Sequence, residues 1–236
     1  MSRYARALLV SLWLSPLLAW SAPPSLTPMS LSYDVAWGSV PLGEGSLTLT
    51  AEGEADCYRY ELRTEPVGLI AWTYGSPRET SQFCVREQRV VPSRMEFNNP
   101  KRRKDSFALD YDWQQGLVLG GRNGSLAIEP GTVDRLSVQQ AGRLWVKAHV
   151  NDKQPGKLVL SVADHKRVKA YTFAIGGRGT VDTPAGRFEA VRFERVDDPK
   201  TVLRFWLAPE LDYMPVKVEN IEDGEARLNL SLQRRP

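Results

Sequence analysis

The sequence predicts an all-β, mostly antiparallel fold: a curved sheet forming a barrel or half-barrel with one amphipathic helix. Three observations carry this prediction. Apolar and polar residues alternate with period two in repeated short runs, as in strands with one buried face. Turn signals (PLGEG, GGRNG, NDKQPGK, DTPAG, DDPK and EDG) separate the runs at the spacing of an antiparallel meander. One segment alone has a helical period, so about ten one-sided strands lack a covering layer and must curl on themselves.

The chain opens with a secretory signal. Arg3 and Arg6 form a basic head, Ala7–Ala19 is almost wholly apolar, and small residues at Ala19 and Ser21 precede a cleavage point before Ala22. The segment is too short and wrongly flanked to span a membrane, and no later stretch approaches the ~20 apolar residues a span needs. No cysteine lies near the cut, which argues against a lipid-anchored lipoprotein. Residues 1–21 are therefore expected to be removed, leaving 22–236 as a single β-rich domain.

After a Pro-rich start, Tyr33, Val35 and Trp37 alternate with Ser32, Asp34 and Ala36. The same pattern places Leu47, Leu49 and Ala51 on one face, then Phe107, Leu109, Tyr111 and Trp113, then Leu228, Leu230 and Leu232. Parallel sheets covered on both faces do not read this way. The exception is Thr132–Val150, TVDRLSVQQAGRLWVKAHV. Thr132 is placed as an N-cap and Asp134 in the first turn, and Val133, Leu136, Leu144 and Ala148 follow a helical period. Gln140 is a polar exception on that face, and Gly142 lies inside the helix.

Cys57 and Cys84 are the chain's two cysteines. An even count in an exported protein favours a disulfide. Cys57–Arg63 and Arg78–Cys84 can pair as neighbouring antiparallel strands, with Cys57 sharing the face of Arg59, Glu61 and Arg63. The bridge is expected as a cross-strand staple on the polar side.

The stretch GGRGTVDTPAG at 176–186 resembles a phosphate-cradling loop at first sight. Such loops feed a helix N-terminus, whose free N–H groups face the anion. Here Val191 and Phe193 interleave with Arg192 and Glu194, so a strand follows, and Thr183-Pro184-Ala185-Gly186 reads as a turn. The glycines are scaffold.

Charge and chemistry exclude more than they include. The whole chain has 31 basic and 28 acidic side chains, and removing residues 1–21 takes two Arg with it, leaving +1. Net charge thus gives no support to a nucleic-acid partner. The two histidines, His149 and His165, sit in no catalytic motif, and there is no G-x-S-x-G elbow. Asp197-Asp198 and Glu222-Asp223 lie beside turns, and no D-x-D-x-D-G loop is present, so neither a metal nor a cofactor is expected. A non-enzymatic role follows. A hydrolase with carboxylates assembled in space is a minor third reading, which a polar cleft holding two acids of raised pKa would revive.

Two features stand out as binding surfaces. Lys101, Arg102, Arg103 and Lys104 form four consecutive cations at a hairpin tip, suited to an anionic partner. The connection 66–75 carries Leu69, Ile70, Trp72 and Tyr74, which is unusually apolar for a loop. It is expected to fold over the barrel mouth as a plug or to meet a ligand or partner.

Several phrases in order, YDVAWGSVPLGEGSLTL, ETSQFCVREQRVVPSRMEF, DSFALDYDW, DRLSVQQ, VDTPAGRFEAVRFERV and FWLAPELDYMPVKVE, resemble the bacterial family of domain of unknown function 3108. The resemblance runs from about Tyr33 to Leu232. It implies an exported protein of a Gram-negative bacterium, hence the periplasm, with a β-rich curved-sheet domain. It carries over no catalytic residue, and the two cysteines are not part of its pattern. The expectation is a protein that binds a lipid or other apolar envelope component in or at the mouth of the curved sheet, with peripheral membrane contact and no nucleic acid. The alternative is a structural module with a solid core that docks an envelope protein through its surface loops.

Overall fold

The period-two runs all become strands of one sheet. In the computed structural model, residues 25–122 and 124–235 are described, and the predicted leader lies outside them. The first arm of the chain is β1 (Met29–Trp37), β2 (Val40–Ala51), β3 (Cys57–Pro66), α1 (Gly68–Tyr74), β4 (Arg78–Arg86), β5 (Arg89–Asn98), β6 (Phe107–Asp112), β7 (Leu117–Gly121) and β8 (Gly124–Ala127). Then come β9 (Val133–Asp134) and α2 (Val138–His149). The second arm is β10 (Lys157–Ala163), β11 (Val168–Thr183), β12 (Gly186–Arg195), β13 (Thr201–Ala208), β14 (Met214–Glu222) and β15 (Glu225–Leu232).

The two arms meet at the centre of the sheet, where β1 pairs with β15, and they run outward to edges at β8 and β9. Neighbours are antiparallel except β9 and β10, which are parallel. The sheet curls until its far parts approach, but it does not close. Side chains and loops bridge the seam: the Ser81 hydroxyl of β4 donates to Asp134 of β9 at 2.5 Å. The Arg122 amide donates to the His165 carbonyl at 2.6 Å, and Phe107 stacks on His165 at 4.5 Å. Bulges in β2, β5, β11, β14 and β15 add the local twist that the curl requires. Gly176 and Gly177 belong to the β11 bulge, and the turn into β12 is Pro184-Ala185, so these glycines are scaffold.

The concave face holds the core. Tyr33, Leu47, Leu49, Tyr58, Tyr60 and Phe83 from the first arm meet Phe173, Phe188, Phe193, Phe205 and Val216 from the second. A smaller cluster of Met95, Leu109, Tyr111, Val118 and Ile128 lies under β5–β8. Disulfide Cys57–Cys84 joins directly paired residues of β3 and β4, on the face carrying Arg59 and Gln82.

The helix lies inside the curl, but it starts later than Thr132. Asp134 is in β9, and its carboxylate accepts from the backbone N–H groups of Leu136 (2.8 Å) and Ser137 (2.7 Å). These bonds close the turn at residues 135–137, and the helix begins only after it, at Val138. Gly142 faces the Phe193 ring so closely that a Cβ there would lie 2.5 Å from it. That approach explains a glycine in mid-helix, despite a cost of about 1 kcal/mol relative to Ala. Arg143, 1 % exposed, enters the core on the same helix. It donates to the Asp212 carbonyl at 2.5 Å, to the Asp212 carboxylate at 2.5 Å and to Gln140 at 3.0 Å.

Candidate functional site

On its Gln140–Arg143 face α2 packs closely on the sheet: the gap bounded by Gln140, Arg143, Phe193, Phe205 and Leu207 amounts to about 10 Å³. Larger hollows lie at one end of the curl and along its seam. At the end formed by the tops of β10–β15, the last inward-facing row runs Phe173, Arg195, Leu203, Asn220 and Leu228 across neighbouring strands. These residues, with Val138 at the start of α2 and Val162 of β10, line a mouth of about 420 Å³. That lies within the range of roughly 300–1,000 Å³ for small-molecule sites.

The rim of this mouth is cationic: Arg135, Arg167, Lys169 and Arg195, with Asp164 as its one acid. Arg195 is held by Asp197 at 2.9 Å and packs over the Tyr171 ring at 4.8 Å. Arg135 forms a two-point pair with Glu79 and covers the Phe97 and Phe107 rings. Among the described residues, Arg167 and Lys169 have no carboxylate partner. An apolar floor beneath unpaired cations is the arrangement an amphipathic anion requires.

A second hollow of about 430 Å³ lies on the open seam, between Ala141, Leu144 and Trp145 of α2 and Leu158 and Leu160 of β10. Its charged lining mixes Glu87 and Glu129 with Arg89. It offers no single sign of charge to orient a ligand.

The connection 66–75 corrects one expectation. It is neither an irregular loop nor a plug: Gly68–Tyr74 forms the short helix α1, with no buried residue. Leu69 is 74 % exposed and Trp72 75 %. Of the four apolar candidates, only Tyr74 lines a hollow, a polar space of about 630 Å³ that it shares with Lys104, Glu79 and Arg135. The four consecutive cations lie against this helix. Lys101 Nζ donates to the carbonyls of Ala71 (3.2 Å) and Trp72 (2.7 Å), and the Arg102 guanidinium lies 4.9 Å over the Tyr74 ring. Arg103–Asp105 form a 3-10 turn. Two features read as separate in the sequence are thus one surface.

The titratable groups serve structure. His165 Nδ1 lies 2.5 Å from Asp164 Oδ1, and His149 Nδ1 lies 2.8 Å from the Trp145 carbonyl, its ring stacked on Trp145. Burial pushes the carboxyls of Glu79 and Asp134 above their ordinary values; Arg135 opposes this at Glu79, and hydrogen bonds from Ser81, Ser137 and Leu136 oppose it at Asp134. Asp134 is fully buried with those bonds in place, so of the two only Glu79 faces the polar hollow. A pair of raised acids sharing one cleft, which a hydrolase reading would need, is not formed by these two. No cluster of three or more potential metal ligands occurs among the described residues.

No local sequence pattern marks the mouth. Its cations and apolar residues come from β10–β13, β15, the β10–β11 turn and the start of α2, and they converge only through the tertiary fold.

The family model described as "Protein of unknown function (DUF3108)" matches residues 32–231. The chain belongs to this family. A solved structure with the same architecture is the "Beta-barrel-like Protein of Domain of Unknown Function DUF1849" from Brucella abortus. It is 14 % identical, with a TM-score of 0.54, and the alignment covers 89 % of this chain and 97 % of that one. At that identity the likeness concerns the fold alone. A comparison with curated proteins found no match.

Proposed function

We propose that the chain is a non-enzymatic periplasmic protein that binds an amphipathic, anionic component of the cell envelope at the mouth of its curved sheet. The observation that carries this reading is the apolar floor of Phe173, Leu203 and Leu228 beneath Arg167 and Lys169. A single acyl chain can replace water over the floor, while an acidic headgroup meets the two cations. Export is supported by the leader at 1–21 and by the Cys57–Cys84 bridge, which suits an oxidising compartment. The close packing of α2 on the sheet at Gln140 and Arg143 supports a shallow site that grips one end of a ligand, rather than a carrier that engulfs it.

The test uses delipidated protein with two probes, palmitate and lysophosphatidylglycerol, in native mass spectrometry and titration calorimetry. Both are expected to bind one per chain, and Leu203→Glu or the pair Arg167→Glu and Lys169→Glu is expected to weaken them at least tenfold. Failure of both probes to bind the unaltered protein, or equal binding by the variants, would overturn the reading.

The second reading, a module that docks through surface loops, draws support from the same close packing and from the exposed apolar side chains of α1.

A further inference from the structure

We infer that the end of the molecule bearing α1 is a docking surface for an anionic lipid bilayer. Antiparallel order places the turns after β1, β3, β5, β12 and β14 at one end of the sheet, which is also the end of the mouth. Eight of the ten large apolar residues exposed among the described residues lie at this end. They are Trp37 and Val40 in the β1–β2 hairpin, Val67, Leu69, Ile70, Trp72 and Tyr74 in and around α1, and Val196 after β12. Apolar groups concentrated at one tip, rather than scattered singly, mark a contact surface.

Charge identifies what covers it. Segments 66–78 and 98–106 together carry Lys101, Arg102, Arg103 and Lys104 against one acid, Asp105, while Arg78 is paired with Glu61. Trp and Tyr beside exposed Lys and Arg are the side chains that settle at the boundary between headgroups and acyl chains. A protein partner with an apolar footprint would not require four cations facing one acid. The surface is also held in shape: Lys101 caps the last carbonyls of α1, Arg102 covers Tyr74, and the Val67 amide donates to the Leu42 carbonyl at 2.9 Å. Its apolar side chains can therefore enter a bilayer without first being ordered. No helix among the described residues is long and apolar enough to cross a membrane, so contact through α1 is peripheral.

This inference does not depend on a ligand in the mouth, because its residues are different. The experiment is flotation of the folded, oxidised mature protein with vesicles of phosphatidylethanolamine and phosphatidylglycerol, and with vesicles of phosphatidylcholine alone. Binding is expected to the anionic vesicles, with a blue shift of tryptophan emission, and to fall as salt rises. Each cation near an anionic leaflet contributes about fivefold. The pair Arg103→Gln and Lys104→Gln, which leaves the Lys101 cap in place, is thus expected to lower partitioning roughly 25-fold. The pair Leu69→Ser and Trp72→Ser is expected to abolish the blue shift while leaving the circular dichroism and palmitate titration unchanged. No flotation with anionic vesicles at low salt would overturn the inference, as would flotation indifferent to both variant pairs. So would an apolar-dependent protein crosslink in cells without any vesicle binding.

Discussion

Lys101 Nζ lies 2.7 Å from the carbonyl oxygen of Trp72, so a loop 29 residues further along the chain closes the last turn of α1. A seven-residue helix is too short to persist by itself in water. This one has no side-chain N-cap and no buried residue. Its order therefore depends on the lysine and on the β3 and β4 ends from which it hangs. Lys101→Met is expected to raise amide exchange in Leu69–Tyr74 about fivefold, the scale of a cation at a helix C-terminus. Exchange in β3 and β4 is expected to stay as it was. Hydrogen–deuterium exchange read by mass spectrometry checks this.

Arg143 and Asp212 form a pair that the fold cannot easily lose. Burial raises the Asp212 carboxyl, but the Lys147 hydrogen bond, the Arg143 charge and the Thr27 amide outweigh it and leave the group below its ordinary value. Burial lowers Arg143, against the pull of the same carboxylate, though a guanidinium stays charged at any physiological pH. Asp212→Asn leaves that charge buried and is expected to cost about 3–5 kcal/mol in urea unfolding.

The sign of the pH dependence follows from the depressed folded value of Asp212. Its contribution is complete above the unfolded pKa of about 3.9 and is lost as pH falls through the lower folded value. Stability curves between pH 2 and 7 are expected to show a shallower acid limb for Asp212→Asn than for the parent.

Gly142→Ala is expected to destabilise the protein, although alanine favours helices. The added methyl meets Phe193, whose ring is fixed between Phe173 at 5.2 Å and Trp145 at 6.0 Å. Overpacking of about 1–3 kcal/mol outweighs about 1 kcal/mol of helix propensity. Thermal unfolding is expected to show a lower midpoint, and one unchanged or raised would contradict the close approach.

Replacing both cysteines by serine is expected to cost about 3–4 kcal/mol, the loop entropy released across a separation of 27 residues. The paired register of β3 and β4 supplies the fold without the bond. The double variant is therefore expected to keep the parent's far-ultraviolet circular dichroism at 25 °C while its urea midpoint falls.

The curl was legible because Tyr33, Leu47 and Leu109 each sit in a run whose other face is polar, and the need to cover them follows from that pattern alone. The start of α2 was not. Asp134 looks like a first-turn acid in sequence, and only its bonds to Ser81, Ser137 and the following amides reveal a turn. The helix in 68–74 escaped notice because apolar residues there have no buried partner to impose a period. The two candidate surfaces were readable as residues, but their union was not, since it depends on β3, β4 and β5 aligning their ends. Arg143 was missed as well. A lone arginine on an amphipathic helix gives no sign that the chain will bring Asp212 to meet it.

Pairing of β1 with β15 sets Tyr33 opposite Leu232, so the first and last of the described strands share one ladder. Fourteen of the described strands are made before β15, the central neighbour of β1, and the inward side chains of the first arm stay uncovered until the second arm follows. Truncation before Glu225 removes that neighbour and leaves two half-sheets with naked inner borders. The period of greatest danger for this molecule is therefore its biogenesis, and protection by a holding chaperone matters most until β15 is made.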